Sequence, residues 1–128
     1  LGKFPDYFAA ARVYSGISDY ALWHAFDHKG EFRDELEGVQ GKDPQGRNAW
    51  IGGAPATNAE AYRSRGGLTT VGNLLTPTLV IHGETDVRVP ALHARLWVGA
   101  ARSEASSSAS TRRARSITAI GKPASLAT

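Results

Sequence analysis

The chain's most hydrophobic strand is predicted at "TLVIHG", residues 78–83, a continuous apolar run without alternation. Such a run predicts a strand covered on both faces, as in a parallel sheet. Pro77 suits its first position, where a missing N–H costs nothing. Pro90 predicts the first turn of a helix, and "ALHARLWVGAA" follows with Leu92, Leu96 and Trp97 at helical spacing. Upstream, "FAAARVYSG", residues 8–16, predicts a short buried strand. Asp19 stands where an N-cap would, before "YALWHAF", which puts Leu22 and Phe26 on one face. Residues 29–47 are charged and punctuated by glycine, an irregular excursion with a helical turn near residues 32–36. "WIGGAP" reads as loop. Asn58 can cap "AEAYRSR", which Gly66 and Gly67 stop. "LTTVGNLL" supplies one or two turns that lead to Pro77. Strand, helical layer, strand and helix in that order predict an α/β fold with parallel strands.

Composition narrows this picture. A chain of 128 residues, 41% apolar, can form one small domain or part of a larger one. There is no apolar run long enough for a transmembrane helix. The start, "LGKFPDYFAA", lacks the charged and apolar regions of a signal peptide. Methionine is absent throughout, which leads us to expect a fragment. Without cysteine there is neither a disulfide framework nor a thiolate metal site. The net charge of +3 is unevenly placed: residues from Arg102 onward carry +4, and the preceding 101 carry −1. That distribution argues against a folded basic face for nucleic acid. The expected division is 1–101 as the folded portion and 102–128 as a low-complexity tail.

The chemistry concentrates where the hydrophobic run ends. Glu84 follows Gly83 directly and Asp86 stands three residues past it, on a loop where Gly83 permits a tight turn. In open parallel sheets, functional groups collect at the carboxyl ends of strands. A carboxylate there can orient a histidine and stabilise its imidazolium, the supporting role in a Ser-His-Asp triad. It can equally cap the next turn or pair with Arg88. His82 lies in the strand, with packing or a backbone hydrogen bond as its expected role. His93 is too close to Asp86 in sequence to be expected as a base. His24 and His28 are four apart and could share a metal on a helix, but no third ligand accompanies them, and a surface pair is expected. No metal or cofactor is expected. No G-x-S-x-G elbow occurs; "GISDY" lacks the closing glycine, so Ser18 reads as a loop serine beside a capping Asp19.

"TPTLVIHGETDVRVP" resembles the segment that carries the catalytic acid in prolyl oligopeptidase-family serine peptidases, which are α/β-hydrolases. "FPDYFAAARVYSGISDY" resembles the stretch after that family's nucleophile helix. "GGAPATNAEAYRSRGGLTTVGNLLTPTLV" resembles its approach to the acid strand. The resemblance covers roughly residues 4–100. It implies a partial α/β-hydrolase fold, incomplete at both ends, and Asp86 as the triad acid, with nucleophile and base not encoded here. It also implies peptide substrates for the complete parent, while this chain alone is expected to be inactive. An esterase of the same fold and a non-catalytic interaction module are the alternatives.

The tail lacks the strand and histidine loop that the resemblance implies. Read one base out of phase, synonymous codons for residues 103–117 can spell "RGVELRLYAPGEEH", a strand, a glycine loop and a histidine. We therefore expect a shifted reading frame from about Ser103, a matter that the nucleotide sequence decides. A flexible linker and a basic interaction arm are the rival readings.

Overall fold

The computed structural model describes residues 1–27, 29–38, 42, 49–107 and 117–120. Two compact units divide the chain: residues 1–18 with 67–128, and residues 19–66.

The first unit is built on a parallel sheet in the order β1-β2-β3, where β1 is Ala11–Tyr14, β2 is Thr78–Ile81 and β3 is Ile117–Ile120. Ala11 aligns with Thr78 and Thr78 with Ile117. Pro77 precedes β2 as its sequence position implies. Its carbonyl accepts the Ala11 amide at 3.0 Å, so the proline takes part in the ladder through the one group it has. The buried Thr76 hydroxyl reaches the carbonyls of Pro5 and Phe8, both at 3.2 Å, and fastens the entry to β2. Parallel neighbours require a long crossover. Between β2 and β3 it is α4, Leu92–Ser107. Helix α4 packs on the 3₁₀ segment Gly67–Asn73 and on β2 and β3. Val71, Leu74 and Ala101 form the core there, with Leu1, Trp97 and Ala100 against them.

Three expectations for this unit need correction. Strand β1 exists but is only half-buried: Ala11 and Val13 turn inward while Tyr14 is 73% exposed, on the same face as the less buried Ile81 of β2. Strand β2 is not equally covered on both faces. Thr78 and Val80 are buried, whereas Leu79 and Ile81 are intermediate. Helix α4 buries His93, Val98 and Ala101; Leu92 and Leu96 lie on its exposed side. Ala101, with Ala100 and Trp97 beside it, packs on Val71 and Leu74, and the larger leucines sit around the other side. Helix α4 also continues past residue 101 to Ser107, and β3 lies within residues 102–128. Local helix propensity carries through "ARSEASS", since alanine, arginine and glutamate are good helix formers.

The second unit holds α1 (Tyr20–Phe26), α2 (Arg33–Glu37) and α3 (Ala59–Arg65). Asp19 caps α1 as its sequence position implies: its Oδ1 accepts the amides of Ala21 at 2.8 Å and Leu22 at 3.0 Å. The buried residue of α1 is Trp23 rather than Leu22 or Phe26. Its indole stacks at 4.4 Å from Phe32 and 6.1 Å from Trp50, an aromatic cluster that outweighs the aliphatic stripe. Leu36 is fully buried, and its carbonyl accepts the amides of Ile51 and Gly52. Gly52 and Gly53 have φ of +88° and +71°, a conformation that favours glycine. The buried Tyr62 hydroxyl donates to the Gly53 carbonyl at 3.1 Å. Burial, and then the charge of Glu37, raise the Tyr62 pKa above its ordinary 10.0. Asn58 precedes α3 but makes no side-chain cap; its amide instead donates to the Gly52 carbonyl at 2.8 Å. Part of the excursion at 29–47 lies outside the described residues.

Candidate active site

The carboxyl end of β2 leads into a loop at residues 83–89 that turns back on itself. Asp86 donates its amide to the Gly83 carbonyl at 3.2 Å. Its carboxylate folds inward. Oδ1 accepts the amides of Arg88 at 3.0 Å and Val89 at 2.9 Å. This is the local capping that aspartate offers in turns. The side chain is 22% exposed, so it is neither buried nor directed into bulk solvent. Oδ2 accepts no hydrogen bond among the described residues; the imidazole within 4 Å is that of His82, with Nε2 at 3.7 Å. One oxygen is committed to the backbone and the other is open.

His82 is buried and its Nε2 lies 2.6 Å from the Val89 carbonyl. The expected backbone hydrogen bond is therefore present. Gly83 does not have a positive φ, and a side chain on it would meet the Asp86 Cβ at an ordinary 3.9 Å. The turn does not need glycine for the reason the sequence suggested. Glu84 pairs outward with Arg95 of α4 on the surface. The two acids of the loop thus differ in kind: Glu84 joins an exposed ion pair, and Asp86 organises backbone.

Sequence reasoning did not foresee one association. Ser18 and His93 are both buried, and Ser18 Oγ lies 3.3 Å from His93 Nδ1. They stand on the wall of a cavity of about 220 Å³, together with Gly16, Gly67 and Trp97. Ser18 is therefore more than a loop serine beside Asp19. The two residues are 75 apart in sequence, and no local pattern signals their meeting.

His24 contacts Glu37, and His28 lies outside the described residues. Among the described residues no group of three or more His, Asp or Glu side chains could hold a metal ion. Nor is any described helix long and apolar enough to cross a membrane.

Comparison with known proteins follows the same lines. The family model described as "Prolyl oligopeptidase family" matches residues 1–113. The uncomplexed Pyrococcus horikoshii acylaminoacyl peptidase is similar in structure, with TM-score 0.67 and 23% identity over 92% of this chain. Its orthorhombic crystal form gives 0.66 and 22% over 91%. An acylaminoacyl peptidase in complex with Z-Gly-Gly-Phe-chloromethyl ketone gives the same values. These likenesses show an α/β-hydrolase fold, of which this chain spans 15–16% of each neighbour's length. No curated protein sequence matches the chain.

Proposed function

Because the chain belongs to the prolyl oligopeptidase family, we propose that it is the acid-bearing segment of a serine peptidase domain, with Asp86 as the triad acid. In the whole enzyme a serine attacks the peptide carbonyl, a histidine carries the proton from nucleophile to leaving group, and Asp86 holds that histidine in its productive tautomer. Substrates are oligopeptides, in keeping with the family. The nucleophile comes from outside these 128 residues, since no G-x-S-x-G elbow is present, and so does the base, since His93 follows Asp86 too closely in sequence.

The observation that carries this reading is the asymmetry of the Asp86 carboxylate. Oδ1 is held by two backbone amides, which fixes the orientation of the group. Oδ2 is open at the carboxyl edge of the strand. An acid that must orient an imidazole needs both properties, a rigid mount and a free acceptor.

The test is Asp86→Asn in the whole enzyme, assayed against peptide and ester substrates of matched leaving group. Peptide turnover in the parent and its loss in the variant support the reading. Ester turnover without peptide turnover points to an esterase, and unchanged peptide turnover in Asp86→Asn removes Asp86 from the triad. The 128-residue chain alone should take no stoichiometric label from a serine-directed phosphonate. Stoichiometric labelling of Ser18 would show a nucleophile within the chain and overturn the proposed division of the triad.

A further inference from the structure

We propose that His82 is the positioning residue of the acid loop: its imidazole closes the loop onto Val89 and so decides which oxygen of Asp86 is free. This rests on the reading of Asp86 as the triad acid.

A carbonyl oxygen only accepts, so at 2.6 Å from the Val89 carbonyl the His82 Nε2 must carry the hydrogen. In the neutral ring, Nδ1 is then a bare acceptor. It is buried and has no hydrogen-bond partner among the described residues. No described residue donates to it or accepts from it, which agrees with a single neutral tautomer.

The mount is rigid. His82 directly follows Ile81, which pairs with Tyr14 on one side and Ile120 on the other. From this fixed point the imidazole spans the loop to its far end at Val89. Within that closure lie the Asp86 amide on the Gly83 carbonyl and the Asp86 Oδ1 on the amides of Arg88 and Val89. Val89 is bonded twice: its amide to Asp86 and its carbonyl to His82. Fixing the carbonyl of Val89 fixes the plane of the peptide that follows it and limits the torsions that would swing its amide away from Oδ1.

The same bond settles a competition. Nε2 lies 3.7 Å from Asp86 Oδ2, too far for a hydrogen bond yet near enough that a small rotation would make one. If that N–H turned to Asp86, it would take one of the acceptor positions of Oδ2 and compete there with a triad imidazole. The Val89 carbonyl holds the N–H and keeps Oδ2 open. An apolar residue at 82 would not occupy Oδ2 either, but it would leave Val89 untethered. A residue that directs one N–H at the carbonyl restores the tether, and glutamine can do so with one of its two amide hydrogens.

The test starts with the wild-type 128-residue chain and needs no variant. Long-range ¹H–¹⁵N spectra of the imidazoles report the tautomer of His82. The expected pattern is hydrogen on Nε2; hydrogen on Nδ1 overturns the proposal. Hydrogen exchange of the Arg88 and Val89 amides is then compared in wild type, His82→Phe and His82→Gln. Loss of the tether in His82→Phe should speed both by about tenfold, and His82→Gln should return them to within about twofold of wild type. Unchanged exchange in His82→Phe, or failure of glutamine to rescue, overturns the proposal.

In the whole enzyme, His82→Phe should lower kcat by about tenfold with KM unchanged, and His82→Gln should restore it. A fall in kcat shared equally by both variants overturns the tether. The acid reading fails separately: if Asp86→Asn leaves turnover intact while tautomer and exchange are as expected, the loop closure stands as structure and the positioning role is overturned.

Discussion

Two aspartates, one in each unit, take opposite positions on the same problem. Asp27 follows α1, and its carboxylate is used on both oxygens. Oδ1 accepts the Glu31 amide at 3.2 Å, and Oδ2 accepts those of Phe32 and Arg33, both at 2.8 Å. It caps α2 from five and six residues upstream, where the N-cap residue Phe32 has no side chain able to do so. Asp86 accepts two amides on one oxygen and leaves the other open. A carboxylate saturated by its own backbone is structural. One that is held at one end and open at the other can serve a further group. The number of backbone hydrogen bonds does not separate the two roles; their distribution over the oxygens does.

The sharpest way to break this comparison is to neutralise each acid while keeping its shape. Asp86→Asn retains an oxygen for the amides of Arg88 and Val89, so its stability should change by no more than about 0.5 kcal/mol. In the whole enzyme, however, kcat should fall by about 10⁴-fold, the scale on which an amide in place of a triad carboxylate misorients the histidine. Steady-state kinetics and urea unfolding of the same preparations measure both. A large loss of stability with little loss of kcat would place Asp86 beside Asp27 as a structural acid.

The second effect should have the opposite character. Asp27→Ala removes an acceptor from three amides and uncaps α2, at a cost of about 2–3 kcal/mol in unfolding free energy. Chemical denaturation of the 128-residue chain checks it, and an effect below about 0.5 kcal/mol would mean that water replaces the carboxylate freely. The cost should appear first around α2, as faster amide exchange at Arg33 and Leu36.

How far these roles were legible in the sequence depended on distance along the chain. Asp19 was readable as a cap because the amides it accepts from are two and three residues on. Asp27 was not, since its cap reaches across a loop to Phe32 and Arg33. Asn58 has the right identity and place for a cap, yet tertiary contact with the Gly52 carbonyl diverts its amide. The order of strands and helices was readable from hydrophobic runs and prolines. Which face each strand buries was not, because that depends on which elements pack on the sheet, as α4 does on β2 and β3. For the same reason α4 presents His93, Val98 and Ala101 inward, although Leu92 and Leu96 carry more apolar surface. Asp86 was legible as a candidate from its place after a strand; the split use of its two oxygens was visible only in coordinates. The Ser18–His93 pair had no sequence signal at all.

Acid titration sharpens the contrast at the next scale. Burial alone would raise the Asp27 pKa, but the amides of Phe32, Arg33 and Glu31 and the charge of Arg33 together hold it below the ordinary 3.8. The ionised form is therefore favoured by folding. Its contribution is complete above about pH 3.8, where the unfolded chain is also ionised, and is lost as pH falls through the lower folded value. Asp27→Asn should flatten this part of the stability profile and leave the neutral-pH region merely lowered. Urea midpoints measured from pH 5 downward test the point. An acid limb of equal slope in wild type and variant would assign the proton uptake to another group.

The smallest effect should come from the third acid. Glu84 shares the loop with Asp86, but its partner Arg95 is exposed and so is the pair. Exposed ion pairs contribute little, because water and salt compete for both charges and two long side chains must be held still. Glu84→Gln should change stability by less than about 0.5 kcal/mol and leave kcat within about twofold of the parent. Repeating the measurement in 0.5 M salt should erase what difference there is, since screening acts on exposed charges first. A large, salt-independent loss of activity would mean that the loop's chemistry depends on the carboxylate facing outward. The distribution of bonds on Asp86 would then no longer identify the working acid.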